Sequence, residues 1–321
     1  MQPQPRAVSR LRRLAEVVHP PAAAAQWQRS AEFGVSPAAV AATVAPPAIG
    51  DGGASGLTIG ICHGAYPVVP VLQKRLPHIT SVFQEWSLDA MLPRMSEVDI
   101  LCVSGFWDDA MLENATKLKY IQSIGVGYNQ FPLGELEKRG IVLSNAVGVN
   151  SPAVAEHAIA LILSISRKLS CARDNQHRKH WRSYISDPLA REFELRGRTV
   201  GIVGLGAIGK GVARLAKAFG CTVLATKGNP ATHDSVADTV LPPAGLPQLL
   251  TESDFVVLTC PLSEATTGLI GAAELSMMKE SASLINCARG AVVDETVRNQ
   301  CHPTDANRAN QCHCMRQKHA V

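Results

Sequence analysis

The chain is expected to fold as an α/β protein of two Rossmann-like domains, the second a doubly wound parallel sheet that binds a dinucleotide. Three observations predict this. Short apolar runs and helical patterns alternate from Leu57 onward, which makes parallel sheets covered by helices. A glycine turn of the form GxGxxG, at Gly204, Gly206 and Gly209, stands between such a run and such a pattern. The same rhythm resumes after it and continues to Cys287.

Composition narrows the class. The chain has 321 residues, 46% hydrophobic, enough for two packed cores. No run approaches eighteen uninterrupted apolar residues, so no membrane partner is expected. A net charge of +4 is too mild for a nucleic-acid binder. Of nine cysteines, Cys62, Cys102, Cys221, Cys260 and Cys287 fall singly in or beside apparent strands and read as buried free thiols of a reducing, cytoplasmic compartment.

Residues 1–56, rich in Ala, Pro and Arg, read as a flexible N-terminal extension; the alternative is organelle targeting by a basic helix at Arg6 to Val18. Residues 57–150 read as a first α/β domain. Its strands are LTIGIC, ITSVFQ, VDILCVSG, KYIQSIG and IVLSN, with helices at Val68 to Leu76, Leu88 to Met95, Ala110 to Leu118 and Leu133 to Arg139. Glycine-bearing turns at Gly105 and at Gly125 to Asn129 lie at strand carboxyl ends, where backbone N–H groups can hold a small carboxylate.

Residues 151–298 read as the dinucleotide-binding domain. Ser151 is a fit N-cap for a long apolar helix through Leu169, with Pro152 in its first turn. His157 in that helix reads as a structural histidine rather than a catalytic one. The basic arm Arg173 to Tyr184 reads as solvated or subunit-contacting. Strands follow at Thr199 to Val203, Cys221 to Ala225, Asp238 to Pro242, Asp254 to Thr259 and Ala282 to Cys287. Helices carry Val212, Leu215, Ala216 and Phe219, then Gly245 to Thr251 and Ala272 to Lys279.

At the glycine turn each glycine has a separate task. Gly204 permits the tight bend, Gly206 lets the backbone approach a pyrophosphate, and Gly209 lets helix and strand pack, while the helix N-terminus offers free N–H groups to the anion. Where NAD sites place a carboxylate for the ribose, this chain has Thr226-Lys227-Gly228. Lys227 would attract a 2′-phosphate, so the cofactor is NADP or, with relaxed selectivity, NAD. Arg289, just past a strand, is a planar fork placed to clamp a carboxylate; pairing with a structural carboxylate is the alternative.

Five motifs in order, GVGYN at 125–129, NSPAVAEHA at 150–158, GLGAIG at 204–209, DFVVLTCPLSEATTGLI at 254–270 and LINCARGAVVDE at 284–295, resemble the D-isomer-specific 2-hydroxyacid dehydrogenase family. The resemblance covers about residues 57 to 297 and implies two α/β domains, a homodimer, and hydride transfer between a nicotinamide and C2 of a small 2-keto or 2-hydroxy acid. It implies that the first domain, residues 57–150, is the substrate-binding domain and is incomplete by itself. It implies that Ala207 and Ile208 lie against the pyrophosphate, that Lys227 falls at the ribose, and that Pro261, Cys287 and Ala288 line the nicotinamide. It further implies that Val126 and Gly127 hold the substrate carboxylate, and that Arg289 is the catalytic arginine.

The family's next elements carry a Glu and a His for proton transfer, and RNQCHPTDANRANQCHCMRQKHAV does not resemble them. Residues 299–321 therefore read as a non-family tail, with the last strands of the second sheet missing, an uncovered strand edge at Ala282 to Cys287, and impaired turnover. A non-catalytic dinucleotide-binding or corepressor-like module and a poorly folded fragment are the alternatives. No metal site is expected, because Cys301-His302 and Cys312-His313-Cys314 match no usual zinc spacing.

Overall fold

A computed structural model describes residues 56–77, 79, 81–187, 191–229 and 235–294, and the backbone of 312–314. All of the expected 1–56 extension except Gly56, and most of the tail, lie outside the described residues. The chain divides after Val149 into two compact units.

In the first unit the strands are β1 (Ile59–Cys62), β2 (Val82–Glu85), β3 (Ile100–Val103), β4 (Tyr120–Ser123) and β5 (Val142–Ser144). All pair parallel, in the order β2-β1-β3-β4-β5. The helices between them are α1 (Val69–Arg75), α2 (Leu88–Met91) and α3 (Leu133–Lys138). Parallel strands are buried on both faces, and β3 does this residue by residue. Leu101 and Val103 pack with Met91, Met95 and Ile121, while Ile100 and Cys102 pack with Ile61, Leu72 and Tyr120.

The second unit has α4 (Ser151–Ser166), α5 (Leu169–His177), β6 (Thr199–Val203), α6 (Ala207–Ala218), β7 (Thr222–Thr226), β8 (Thr239–Leu241), α7 (Leu246–Glu252), β9 (Phe255–Leu258), α8 (Ala272–Met277), β10 (Ser283–Asn286) and β11 (Cys312–Cys314). Its parallel sheet runs β11-β10-β9-β6-β7-β8, the 3-2-1-4-5-6 order of a doubly wound dinucleotide-binding fold counted from β6. Phe255 and Val257 face one core with Val200 and Ile202, and Val256 and Leu258 face the other with Leu249. Truncating Phe255 to Ala would cost about 3–5 kcal/mol.

One device recurs where the two sheets begin. Asp99, just before β3, accepts the Thr58 N–H at 3.0 Å, and Asp254, just before β9, accepts the Thr199 N–H at 2.8 Å. Each carboxylate fixes the register of a central strand against its neighbour and satisfies a donor that the ladder leaves over.

Several expectations need correction. The uncovered edge of β10 is covered: Cys312–Cys314 pairs parallel with Leu284–Asn286, so the sixth strand is present and comes from the tail. Asn150, not Ser151, is the N-cap of α4, and Ser151 sits inside the first turn. That helix stops at Ser166 because Lys168 adopts a left-handed φ of 49°, after which α5 begins. The helix expected over Ala110 to Leu118 shrinks to one 3-10 turn, Asp109–Leu112, capped by the Asp108 side chain. Asn114 and Thr116 favour the tight turn they form over a helix interior. The helix expected over Leu88 to Met95 is α2 followed by a 3-10 segment, Leu92–Glu97, with Pro93 in its first turn. His157 is exposed rather than packed in a core.

Candidate dinucleotide and substrate sites

The carboxyl end of β6 meets α6 through Gly204-Leu205-Gly206. Gly204 has φ +100°, and a Cβ there would approach the Cys260 backbone nitrogen to 2.7 Å, so its glycine is required twice over. A Cβ on Gly209 would collide with the Gly204 carbonyl oxygen and reach Thr259 Oγ1 at 3.0 Å, as the closeness of helix and strand demands. Gly206 differs: a Cβ there would meet nothing within 4 Å. The space over Gly206 is therefore open, at the N-terminus of a twelve-residue helix whose first N–H groups, Ala207 and Ile208, have no intrahelical acceptor. Open space, unpaired donors and the positive end of a helix dipole fit a diphosphate.

Neighbouring strands hold this loop in place. Gly204 and Leu205 donate to the Thr226 carbonyl at 3.2 and 3.1 Å, which brings the end of β7 and Lys227 beside the glycine turn. Thr259 Oγ1, past β9, donates to the Gly204 carbonyl at 2.7 Å. Pro261 follows, exposed, its carbonyl accepting from Thr266 Oγ1 at 2.7 Å.

Beyond β10 the turn Cys287-Ala288-Arg289 is organised by a residue that sequence reading passed over. Asn286 is 3% exposed; its Oδ1 accepts the Ala288 N–H at 2.9 Å and its Nδ2 donates to the Arg289 carbonyl at 2.8 Å. The half-buried Arg289 guanidinium donates to the Ala288 carbonyl at 2.9 Å and pairs with no carboxylate among the described residues. The alternative of a structural ion pair thus has no partner there. Cys260 and Cys287 are buried free thiols, and burial pushes the Cys260 thiol up.

In the first unit the turn after β4 is arranged with its carbonyls tied back and its amides left over. Gly125 O accepts from Ala146 N and Ser123 Oγ, Val126 O accepts from Asn145 Nδ2 at 2.8 Å, and Gly127 O accepts from Gln130 Nε2 at 3.4 Å. The N–H groups of Val126 and Gly127 donate to nothing among the described residues, leaving two adjacent donors for an anion. Gly105, at the end of β3, has φ +66° with open space around it.

A second missed feature lies at the end of β1. His63 is 7% exposed, with Nδ1 2.5 Å from Ser104 Oγ and Nε2 buried without a hydrogen-bond partner among the described residues. The five cysteines expected in strands are free; Cys102 is half-buried and the others buried, and burial pushes the Cys62 thiol up to about 11. Among the described residues no cluster of metal-ligating side chains occurs, and no helix is long and apolar enough to cross a membrane. The tail side chains considered as zinc ligands lie outside the described residues.

Comparison with known proteins agrees with this architecture. Residues 159–297 match the family model described as D-isomer specific 2-hydroxyacid dehydrogenase, NAD binding domain. A glyoxylate reductase of Thermococcus litoralis is 39% identical over 212 residues, 64% of this chain, and the chain spans 63% of that relative's length. A protein of Haemophilus influenzae described as a 2-hydroxyacid dehydrogenase is 34% identical over 68% of this chain and 69% of its own. The fold is similar to that of D-lactate dehydrogenase from Aquifex aeolicus, solved with NAD and lactic acid, with a TM-score of 0.69, 24% identity, and coverage of 80% of this chain and 76% of that one. With the glycine turn, the strand order and these relatives in agreement, the chain belongs to the D-isomer-specific 2-hydroxyacid dehydrogenase family.

Proposed function

We propose that the chain is the dinucleotide- and substrate-binding part of an oxidoreductase that moves a hydride between a nicotinamide and C2 of a small 2-keto or 2-hydroxy acid, glyoxylate being the substrate named for several relatives. The observation that carries the reading is Arg289: a guanidinium with no carboxylate partner among the described residues, held at a strand end of the same sheet edge that presents the glycine turn. Bound there, the nicotinamide would donate or accept the hydride at C4.

The residues of this chain then have separate roles. Gly204, Gly206 and Gly209 with the amides of Ala207 and Ile208 seat the diphosphate, and Lys227 favours a 2′-phosphate, making NADPH the preferred form over NADH. Pro261, Cys287 and Ala288 flank the nicotinamide. Arg289 binds the substrate carboxylate and polarises the C2 carbonyl. In the first unit Val126 and Gly127 after β4, and Gly105 after the neighbouring β3, offer backbone donors to the same class of anion.

The residues given after Arg289 do not repeat the family's glutamate and histidine. Where water carries the proton in place of such side chains, turnover falls by about 10²- to 10⁴-fold, the usual worth of general acid–base assistance. The arm after α5, where Trp181 is 96% exposed and Tyr184 wholly so, is the surface we assign to a homodimer contact. Six free thiols among the described residues suit a reducing, cytoplasmic compartment.

Calorimetric titration of the purified chain with NADPH and NADH, followed by glyoxylate reduction monitored at the nicotinamide absorbance, tests this. Saturable NADPH binding with slow turnover is expected. Absence of saturable binding by either dinucleotide would overturn the reading, and rapid turnover would refute the impairment alone.

A further inference from the structure

The loops after β1, β2, β3 and β4 of the first unit each leave one large aromatic side chain exposed: Tyr66, Trp86, Phe106 and Tyr128. Single exposed aromatics are ordinary. Four at the carboxyl edge of one parallel sheet, the edge on which open α/β sheets bind ligands, are not. The strand order β2-β1-β3-β4 makes the four loops neighbours, and its point of reversal lies between β1 and β3.

The polar centre of this edge is the His63–Ser104 pair, which bridges the ends of β1 and β3. Tyr66 meets the His63 ring edge to face with centroids 4.3 Å apart. Phe106 lies against Gly64, where a Cβ would come within 3.0 Å of its Cζ. Gln84 fixes the backbone of the loop by donating to the carbonyls of His63 and Tyr66, at 2.8 and 3.0 Å, and accepting the Val68 N–H at 2.8 Å. The loop is thus held with Tyr66 packed on His63 by one part of its ring and 54% exposed. His63 Nε2, buried and without a hydrogen bond, is the unexplained group.

We infer that this edge is a pocket for aryl 2-keto acids, in which His63 Nε2 hydrogen-bonds a hydroxyl on the aromatic ring. The inference rests on the reading that the chain takes a 2-keto acid, and it replaces a two-carbon substrate by a longer one. Two strand spacings separate β1 from β4, about 10 Å. A carboxylate seated on the Val126 and Gly127 amides needs a side chain of that length to bring a ring among Tyr66 and Phe106 and a hydroxyl to His63. Glyoxylate has no side chain, so it would leave the aromatic surface bare and Nε2 unpaired. A site built around one buried polar atom in an aromatic lining discriminates strongly in favour of a ligand that pairs it.

The test titrates the full chain calorimetrically, with and without saturating NADPH, against 4-hydroxyphenylpyruvate, phenylpyruvate and glyoxylate. Affinity is expected to fall in that order, with the hydroxyl worth at least about tenfold. His63→Phe erases the hydroxyl advantage and keeps phenylpyruvate binding; Ser104→Ala, a milder change, erodes the same advantage. Phe106→Ala, at an exposed position, weakens both aryl acids and spares glyoxylate. NADPH affinity stays unchanged in all three variants. Glyoxylate preferred, no acid bound, or a hydroxyl advantage unaltered in both His63→Phe and Ser104→Ala would overturn the pocket. Loss of dinucleotide binding with the aryl preference intact would instead strike the cofactor role proposed for the second unit.

Discussion

Asn286 holds Arg289 by its backbone: the Asn286 amide donates to the Arg289 carbonyl at 2.8 Å and accepts from the Ala288 N–H at 2.9 Å, all within the turn that ends β10. The guanidinium is therefore aimed by a buried side chain three residues earlier. Asn286→Ala removes both bonds and leaves two backbone groups without their partner, so affinity for a 2-keto acid should fall about 10- to 100-fold. Dinucleotide affinity should hold, because the glycine turn belongs to β6 and α6. Equal losses in both affinities would show Asn286 to be a general support of the fold.

Gly206 and Gly209 should fail in opposite ways. Alanine at Gly209 drives a Cβ into the Gly204 carbonyl and Thr259, an overpacking worth about 1–3 kcal/mol, seen as a lowered Tm. Alanine at Gly206 meets open space and a φ of −85° that any residue adopts, so its melt should match the parent's. Its cost should appear in dinucleotide affinity, as a loss of at least about tenfold where a methyl displaces a diphosphate from the helix terminus. A Gly206→Ala chain that binds NADPH normally would place the diphosphate elsewhere.

Much of the second unit was legible because its signals are local. Thr199–Val203 is a β-branched and aliphatic run bounded by Arg198 and Gly204, and the strand has those bounds. The spacing of Val212 and Ala216 gave the buried side of α6, with Leu215 half-buried against the same core, while Phe219 beyond its end is exposed. What was missed depends on contacts between distant residues. His63 and Ser104 are 41 positions apart and meet only because β1 and β3 are adjacent in the sheet. Cys312–Cys314 has no apolar alternation to announce a strand; it joins β10 through backbone hydrogen bonds, which leave no mark in composition. Asn286 sits in a strand-like run, and nothing in LINCAR says that its amide turns back to tie the loop.

Lys227 should set the choice of dinucleotide. Its backbone N–H donates to the Leu241 carbonyl at 3.0 Å, which fixes it at the end of β7 beside the glycine turn. Lys227→Asp puts a repelling charge where a 2′-phosphate would lie and an acceptor where a ribose hydroxyl would lie. NADPH affinity should drop about 10- to 100-fold, the worth of one charge-assisted hydrogen bond, while NADH affinity is retained or improved. An unchanged ratio of the two affinities, measured by titration, would remove Lys227 from the ribose site.

Asp238 offers a test of stability against pH. The Lys217 ammonium, 2.7 Å away, and the Val223 N–H, 2.8 Å away, both favour its ionised form and hold its carboxyl below the ordinary value of 3.8. These bonds tie the end of α6 and the start of β7 to the segment entering β8. A depressed pKa contributes stability that is fully present above the ordinary value and is lost as pH falls through the lower, folded one. Asp238→Asn should therefore lower Tm by the same small amount between neutral pH and about pH 5, with the gap closing below about pH 4. The pair is partly exposed, so its share is at most about 1 kcal/mol and shrinks with added salt. A Tm difference that persists undiminished at low pH would mean that the side chain acts through its shape and its neutral hydrogen bonds, not through its charge.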